Sequence, residues 1–333
     1  MFQNKVSILG SGSFGSSIAL VVASQVEELC IWCRRCEIAN EINTKKTNIT
    51  YLKSKFPSNV KAYTNINIAI NKSNIIIIAI PGNFLEEILK QIDLNNKIVI
   101  SLVKSVFVNE TGNNILTCCE LIERRFADAH VLCLSGPNLY SSMDNKDLSE
   151  ATIGVNDLET GILVKKLFNN DFFKTQITID RVGVELCGIF KNIIAIGVGF
   201  LGNKPNSVAL LIRKGLNEMY KLSLKLRKNV SKDTFYEFSC GIGDLYLTCV
   251  YGRGRNLARS FSDCKYLDSS NWEKLEKTIL YGMKIPDHHN VKIIGKLIEK
   301  KCWTYEFPIF YNIYKIAWTN DSKESLEYLK RNL

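Results

Sequence analysis

The chain has 333 residues, of which 46% are hydrophobic and 23% charged, a balance that fits a globular protein and excludes disordered or fibrous ones. That length accommodates two domains with proper cores. The formal net charge of +10 is spread along the sequence without the concentrated basic run that nucleic acid favours, so it is read as a solvated surface with local phosphate pockets. The N-terminal MFQNKVSILG runs straight into a strand pattern, with no charged and then apolar leader, and the C-terminal KRNL is not a recognised address; the expected location is the cytosol. Eleven scattered cysteines read as small buried hydrophobes, not a disulfide framework. Cys33 and Cys36 form a single C-x-x-C, but three histidines and no second pair make a metal site unexpected. The sequons beginning at Asn48, Asn71 and Asn229 have no meaning without secretion.

In the first half, short apolar runs predict buried strands at 6–9, 29–32, 75–80, 98–102, 131–134 and 152–155, with a further edge strand over 173–179. Helical periodicity falls between them, around 14–24, 84–91 and 112–125. This alternation predicts an α/β fold with a Rossmann-type, doubly wound parallel sheet. The motif Gly10-Ser11-Gly12-Ser13-Phe14-Gly15 is G-x-G-x-x-G, placed after a strand and opening a helix, as dinucleotide binding requires. Its glycines serve the tight turn, the approach of a pyrophosphate to the backbone, and close helix–strand packing. A NAD site usually has an acidic residue near the end of the second strand. Here Trp32-Cys33-Arg34-Arg35 stands there, so the expected cofactor is NAD or NADP, with Arg34 either holding a 2′-phosphate or stacking on adenine. Phe84, after Ile80-Pro81-Gly82-Asn83, lies where it would cover the cofactor or serve as a core aromatic. Lys104 follows the 98–102 strand, and Asn138 follows Ser135-Gly136-Pro137; both are expected at the ligand-bearing sheet edge.

From Arg181 onward the pattern turns helical, with helices expected over 184–201, 207–227, 233–240, 272–281, 291–300 and 307–318. The chain therefore divides into a dinucleotide-binding domain, 1–180, and an all-helical substrate-binding and catalytic domain, 181–333. The apolar run Cys187–Leu201 is too short for a membrane span, which needs about 20 residues, and reads as a helix buried on all sides. Within it sit Lys191 and Asn192. An unpaired buried ammonium costs several kcal/mol, so Lys191 needs a partner, a lowered pKa or a ligand, unless its head snorkels to water. A lysine that loses its proton easily suits general acid–base chemistry. Further on, Gly252-Arg253-Gly254-Arg255-Asn256 opens a helical segment and could hold a phosphate through a guanidinium, an amide and free helix N–H groups; a solvated arginine turn is the plainer alternative.

These motifs together resemble the NAD(P)-dependent glycerol-3-phosphate dehydrogenases, and the likeness covers nearly the whole chain. The strongest segment is Val184-Glu185-Leu186-Cys187-Gly188-Ile189-Phe190-Lys191-Asn192. The N-terminal glycine motif, Ser101–Lys104, Arg213–Met219, Gly243-Asp244 with Thr248-Cys249, Arg255-Asn256, and Phe307–Phe310 with Tyr314-Lys315 complete it. The ending is more like the eukaryotic cytosolic branch. The resemblance implies reversible reduction of dihydroxyacetone phosphate to sn-glycerol 3-phosphate by a homodimer; on the residue grounds above, no metal, nucleic acid or membrane partner is expected. It implies that Lys191 is the proton donor and acceptor, with Lys104 a second active-site lysine. It further implies that Asn192, Asp244, Thr248, Arg255 and Asn256 line the substrate, Arg255 on the phosphate. On physical grounds the two ammoniums would lower each other's pKa, and Asp244 would orient them. The chain departs from the family in the short Gly199–Asn206 loop, in one extra residue within 251–255, and at Gly282–Pro286, where Lys284 keeps a possible cofactor contact and Pro286 cannot. Another two-domain β-hydroxyacid or 2-keto-acid reductase, or a non-catalytic dinucleotide sensor, remains the alternative.

Overall fold

The computed structural model describes residues 2–71, 73–264, 267–280, 283–319 and 321–331 (backbone only for 2–4). Two compact units emerge: Met1–Val103 with Cys118–Arg181, and Lys104–Thr117 with Val182–Leu333.

The first unit is built on an eight-stranded sheet: β1 (Phe2–Leu9), β2 (Val26–Trp32), β3 (Val60–Tyr63), β4 (Ile75–Ile78), β5 (Ile98–Ser101), β8 (His130–Ser135), β9 (Ser149–Gly154) and β10 (Phe173–Thr178). The spatial order is β10-β9-β8-β5-β4-β1-β2-β3, all neighbours parallel except β8 and β9. The four isoleucines of β4 are all buried, as expected for a central strand covered on both faces. At one edge, β10 alternates buried Phe173 and Thr175 with exposed Lys174 and Gln176. At the other, β3 is four residues long and its exposed Lys61 faces water, which blunts that edge. Being so short, β3 leaves no clear periodic signal, and the sequence pattern passes over it. The helix Leu158–Phe168 is also unanticipated; Asp157 caps it by accepting from the Glu159 and Thr160 amides at 3.2 and 2.9 Å.

The second unit takes in a small hairpin, β6 (Phe107–Val108) and β7 (Ile115–Leu116). The helix expected over 112–125 therefore begins only at Cys118. The reason is local: Asn109 Oδ1 accepts from the Asn113 and Asn114 amides, both at 3.0 Å, and bends the chain into a turn. From Val182 on, the described residues of this unit are helical or irregular. The helix Arg181–Leu201 is longer than the apolar run suggests, with the length and composition to cross a membrane, yet its most apolar stretch is wholly buried in the protein. Pro205–Leu226 and Pro308–Trp318 are two more helices of this unit, each with proline in its first turn. Glu218 of the former accepts from the amides of Ile309 (3.1 Å) and Phe310 (3.2 Å), satisfying the free N-terminus of the latter. Burial raises the Glu218 carboxyl to about 7 although those amides pull it down. Phe190 meets Phe310 edge to face at 5.3 Å, knitting the buried helix to the same element.

Candidate active site

In the first unit the strand order reverses between β1 and β4, and ligands of such sheets lie at the carboxyl ends of the strands at this point. The residues after β1 are Gly10–Gly15, and those after β4 are Ala79–Phe84. Gly10 has φ +118°, and a Cβ there would come within 2.6 Å of the Ala79 carbonyl oxygen. Any side chain at Gly15 would overlap the Gly10 carbonyl oxygen. Around Gly12, by contrast, nothing lies within 4 Å of where a Cβ would be. The helix Ser13–Val22 starts beside this open space with no side-chain cap and no acidic residue in its first turn. A pyrophosphate fits such a place: bare backbone, helix N–H groups and room. The Arg34 guanidinium sits 5.3 Å over the Phe84 ring, so these two predicted cofactor residues form one stacked platform. Asn138 is shielded, and neither its Nδ2 nor its Oδ1 has a hydrogen-bond partner among the described residues. Buried amides are rarely left in that state without a ligand or water to meet them. Cys33 is buried and its thiol is pushed up to about 11, while Cys36 is exposed. Among the described residues no group of three or more His, Cys, Asp or Glu could hold a metal.

A residue that the sequence pattern gave no reason to select supports the glycine turn. Asn48 is fully buried and donates from Nδ2 to the Ser11 carbonyl at 3.1 Å and to Ser16 Oγ at 2.9 Å. It lies far along the chain in a polar stretch whose only visible signal is a sequon.

In the second unit, Lys191 is 3% exposed and forms an ion pair with Asp244, which is 2% exposed. Lys104 lies 3.5 Å from the same carboxylate oxygen. One carboxylate thus serves two ammoniums, an arrangement that leaves a net positive charge. Lys191 has its partner, and its head does not snorkel out. Burial lowers its pKa most, Asp244 opposes that, and Lys104 lowers it further, to about 8. Asp244 opens the helix Asp244–Tyr251 just after a kink at Gly241, whose φ of −83° and ψ of −111° break the helical path. One turn along, Thr248 Oγ1 donates to the Asp244 carbonyl at 2.7 Å and lies 3.4 Å from its Oδ1. Asn192 follows Lys191 on the buried helix and is itself buried.

Arg255 and Asn256 sit in the first turn of the helix Arg253–Ser262. An Arg255 N–H donates to Asn256 Oδ1 at 3.0 Å, while its Nε is shielded without a partner among the described residues. Guanidinium, amide and helix amides converge, as anion binding needs. Buried Cys249 is within electrostatic reach of Lys191, Arg255 and Asp244.

Asn290 escapes sequence reasoning as well. Buried on the helix Asp287–Lys300, it donates to the Lys104 carbonyl at 2.8 Å and accepts from the Val106 amide at 3.2 Å. It thereby fixes the loop that carries Lys104. Lys284 is held by Glu276 at 2.7 Å, and that 1% exposed carboxylate also takes the Ile285 amide and His288 Nε2, each at 3.1 Å. Tyr281 and Gly282, which flank this segment, are outside the described residues.

The family model for the N-terminus of NAD-dependent glycerol-3-phosphate dehydrogenase matches residues 5–161, and that for its C-terminus matches 180–327. A rat protein named cytoplasmic glycerol-3-phosphate dehydrogenase (NAD+) is 32% identical over 338 aligned positions, covering 96% of this chain and 95% of the relative. The human protein of the same name has the same identity and coverage. Among solved structures, glycerol-3-phosphate dehydrogenase of Plasmodium falciparum superposes with a TM-score of 0.89 at 30% identity, covering 99% of this chain and 96% of that one. The Saccharomyces cerevisiae enzyme gives 0.85 at 25% identity, covering 99% and 100%. With a glycine turn at the sheet's reversal point, a buried lysine and a half-buried one sharing one aspartate, and matches along nearly its full length, the chain belongs to the NAD-dependent glycerol-3-phosphate dehydrogenase family.

Proposed function

We propose that this chain catalyses the reversible reduction of dihydroxyacetone phosphate to sn-glycerol 3-phosphate with NAD(H), as a cytosolic homodimer. The observation that carries the reading is the buried Lys191 ammonium, paired with Asp244 and pressed by Lys104. When bound, the reduced nicotinamide supplies the hydride. As the ketone carbon takes it, negative charge builds on the carbonyl oxygen, and a cation with a proton is the group that stabilises it. Lys191 donates a hydrogen bond to that oxygen and then transfers its proton. With its pKa lowered to about 8, it is a readier acid than an ordinary lysine at 10.5. Lys104 adds positive charge at the same oxygen, and Asp244 holds both amines in place. In the oxidative direction the neutral amine of Lys191 takes the hydroxyl proton back. Arg255, with Asn256 and the helix N–H groups, holds the phosphate, and Asn192 and Thr248 complete the substrate's polar contacts within the second unit; Asn138, with both amide atoms unmet among the described residues, is a ligand contact of the first unit.

The glycine turn Gly10-Ser11-Gly12-Ser13-Phe14-Gly15 holds the pyrophosphate. Arg34 stacked on Phe84 makes a flat cationic platform suited to an adenine, which favours NAD(H) over NADP(H), because a guanidinium committed to a ring face is a poorer clamp for a 2′-phosphate. Lys284, steadied by Glu276, is kept as a cofactor contact. A keto-acid reductase would have no use for the Arg255–Asn256 turn, and a sensor none for the lysine pair.

Absorbance at the nicotinamide band tests this directly, with dihydroxyacetone phosphate and either NADH or NADPH. Turnover with NADH is the expected result; its absence, or activity only on unphosphorylated keto acids, contradicts the reading. In the same assay Arg255→Ala raises KM for dihydroxyacetone phosphate by about tenfold to a hundredfold, on the scale of a lost charge-assisted hydrogen bond. An unchanged KM reassigns Arg255 to structure.

A further inference from the structure

The helix Asp287–Lys300 carries a second polar residue facing this region besides Asn290. Asp287 lies three positions before Asn290, so both project from one face of that helix. Asn290 clips the backbone of Lys104. On its other side, the Asp287 carboxyl packs against the Cα of Gly254: a Cβ at Gly254 would overlap Asp287 Oδ2 and lie 3.2 Å from its Cγ. Gly254 stands between Arg253 and Arg255 in the first turn of the proposed phosphate-binding helix. A Cβ at Gly254 would displace the carboxyl group, which accounts for the glycine between the two arginines.

Asp287 is 8% exposed. Burial is the largest influence and leaves its pKa above the usual carboxylate range, Glu276 adding to the rise, while Arg253, Lys191 and Lys104 draw it back down. A carboxylate in that position is a rival to any anion brought to the Arg255–Asn256 turn. We propose that Asp287 is the resident anion of the phosphate pocket: its carboxylate balances the cationic turn in the free protein and takes a proton from solvent when a phosphorylated ligand binds. The step is a simple protonation, carboxylate plus proton to carboxylic acid, and it relieves repulsion between two negative groups around one arginine turn. Binding a phosphate ester is then coupled to uptake of a proton, and affinity falls as pH rises through the pKa of Asp287 in the free protein. This inference rests on the reading of Arg255–Asn256 as the phosphate site.

Calorimetric titration with glycerol 3-phosphate tests it, in buffers of different ionisation enthalpy between pH 5 and 9, on the unaltered protein, Asp287→Asn and Arg255→Ala. In the unaltered protein, uptake of most of one proton per site is expected over part of that range. Asp287→Asn, which keeps the side chain's shape, is expected to lose that uptake and to bind the ester on the order of tenfold more tightly at the alkaline end, as removal of a like charge predicts. The same affinity and the same proton uptake in Asp287→Asn overturn the proposal, and so does an unaltered protein that takes up no proton anywhere in the range, a result that stands even if the variant fails to fold. A fault in the phosphate reading looks different: Arg255→Ala then binds the ester as tightly as the unaltered protein.

Discussion

Replacing Lys191 with alanine is expected to lower kcat for dihydroxyacetone phosphate reduction by about a thousandfold or more, the scale on which a positioned general acid acts together with the charge it brings to the oxyanion. NADH affinity should change little, because the glycine turn proposed to hold the pyrophosphate belongs to the other unit of the chain. Stability should also suffer less than a buried charge usually implies, because Asp244 keeps Lys104 as a partner after the truncation. Stopped-flow or steady-state absorbance together with fluorescence titration of NADH separates the two effects. Turnover within about tenfold of the unaltered protein would remove Lys191 from the proton transfer.

Asp244→Asn is the second large perturbation, and it acts on both amines at once. Asp244 is the carboxylate shared by Lys191 and Lys104, and it raises the pKa of Lys191 against burial. Without its charge, the two ammoniums lose the counter-ion they share, and breaking a buried pair in this way costs about 3–5 kcal/mol. The protein can avoid part of that cost by releasing a proton from Lys191, which removes the acid the reaction uses. The expected outcome is a loss of about a hundredfold or more in kcat, and denaturant midpoints that fall most at neutral pH and recover as the pH is raised and the amine is neutralised. Equal destabilisation at pH 7 and pH 10 would contradict this, since the penalty would then have nothing to do with charge.

Much of this was legible in the residues themselves. Strand–helix alternation and the Gly10–Gly15 motif point to the sheet and its reversal point, because parallel strands buried on both faces must be continuous apolar runs and the turn must be glycine. Lys191 stands out because a charge inside an apolar helix is conspicuous, and the structure gives it the partner its burial demands. What the sequence leaves hidden is of two kinds. Short or polar elements such as β3 and the hairpin at 107–116 lack enough periodicity to register, and the hairpin depends on one asparagine side chain competing with helix formation. The supporting asparagines are hidden for another reason. Asn48 and Asn290 are ordinary polar residues in ordinary polar surroundings, and only the folded chain shows that each is buried against a functional loop. Side chains that act through others carry no spacing signature, whereas those that touch a phosphate or a developing charge are marked by the glycines and charges beside them.

The shared aspartate also explains why a lysine can serve here at all. Left alone in a buried helix, an amine would lose its proton and have nothing to donate; fully paired at the surface, it would hold the proton too tightly. Burial, one carboxylate and a second ammonium together set an intermediate acidity. The measurement that tests this most directly is the pH dependence of kcat/KM for reduction between pH 6 and 11. A proton donor must be protonated to act, so activity should fall as pH rises through about 8, the value to which Lys191 is lowered, and the midpoint should move further down in Asp244→Asn. A profile that stays flat until the range of an ordinary lysine, near 10.5, or a midpoint near 8 that is unmoved by Asp244→Asn, would contradict the account.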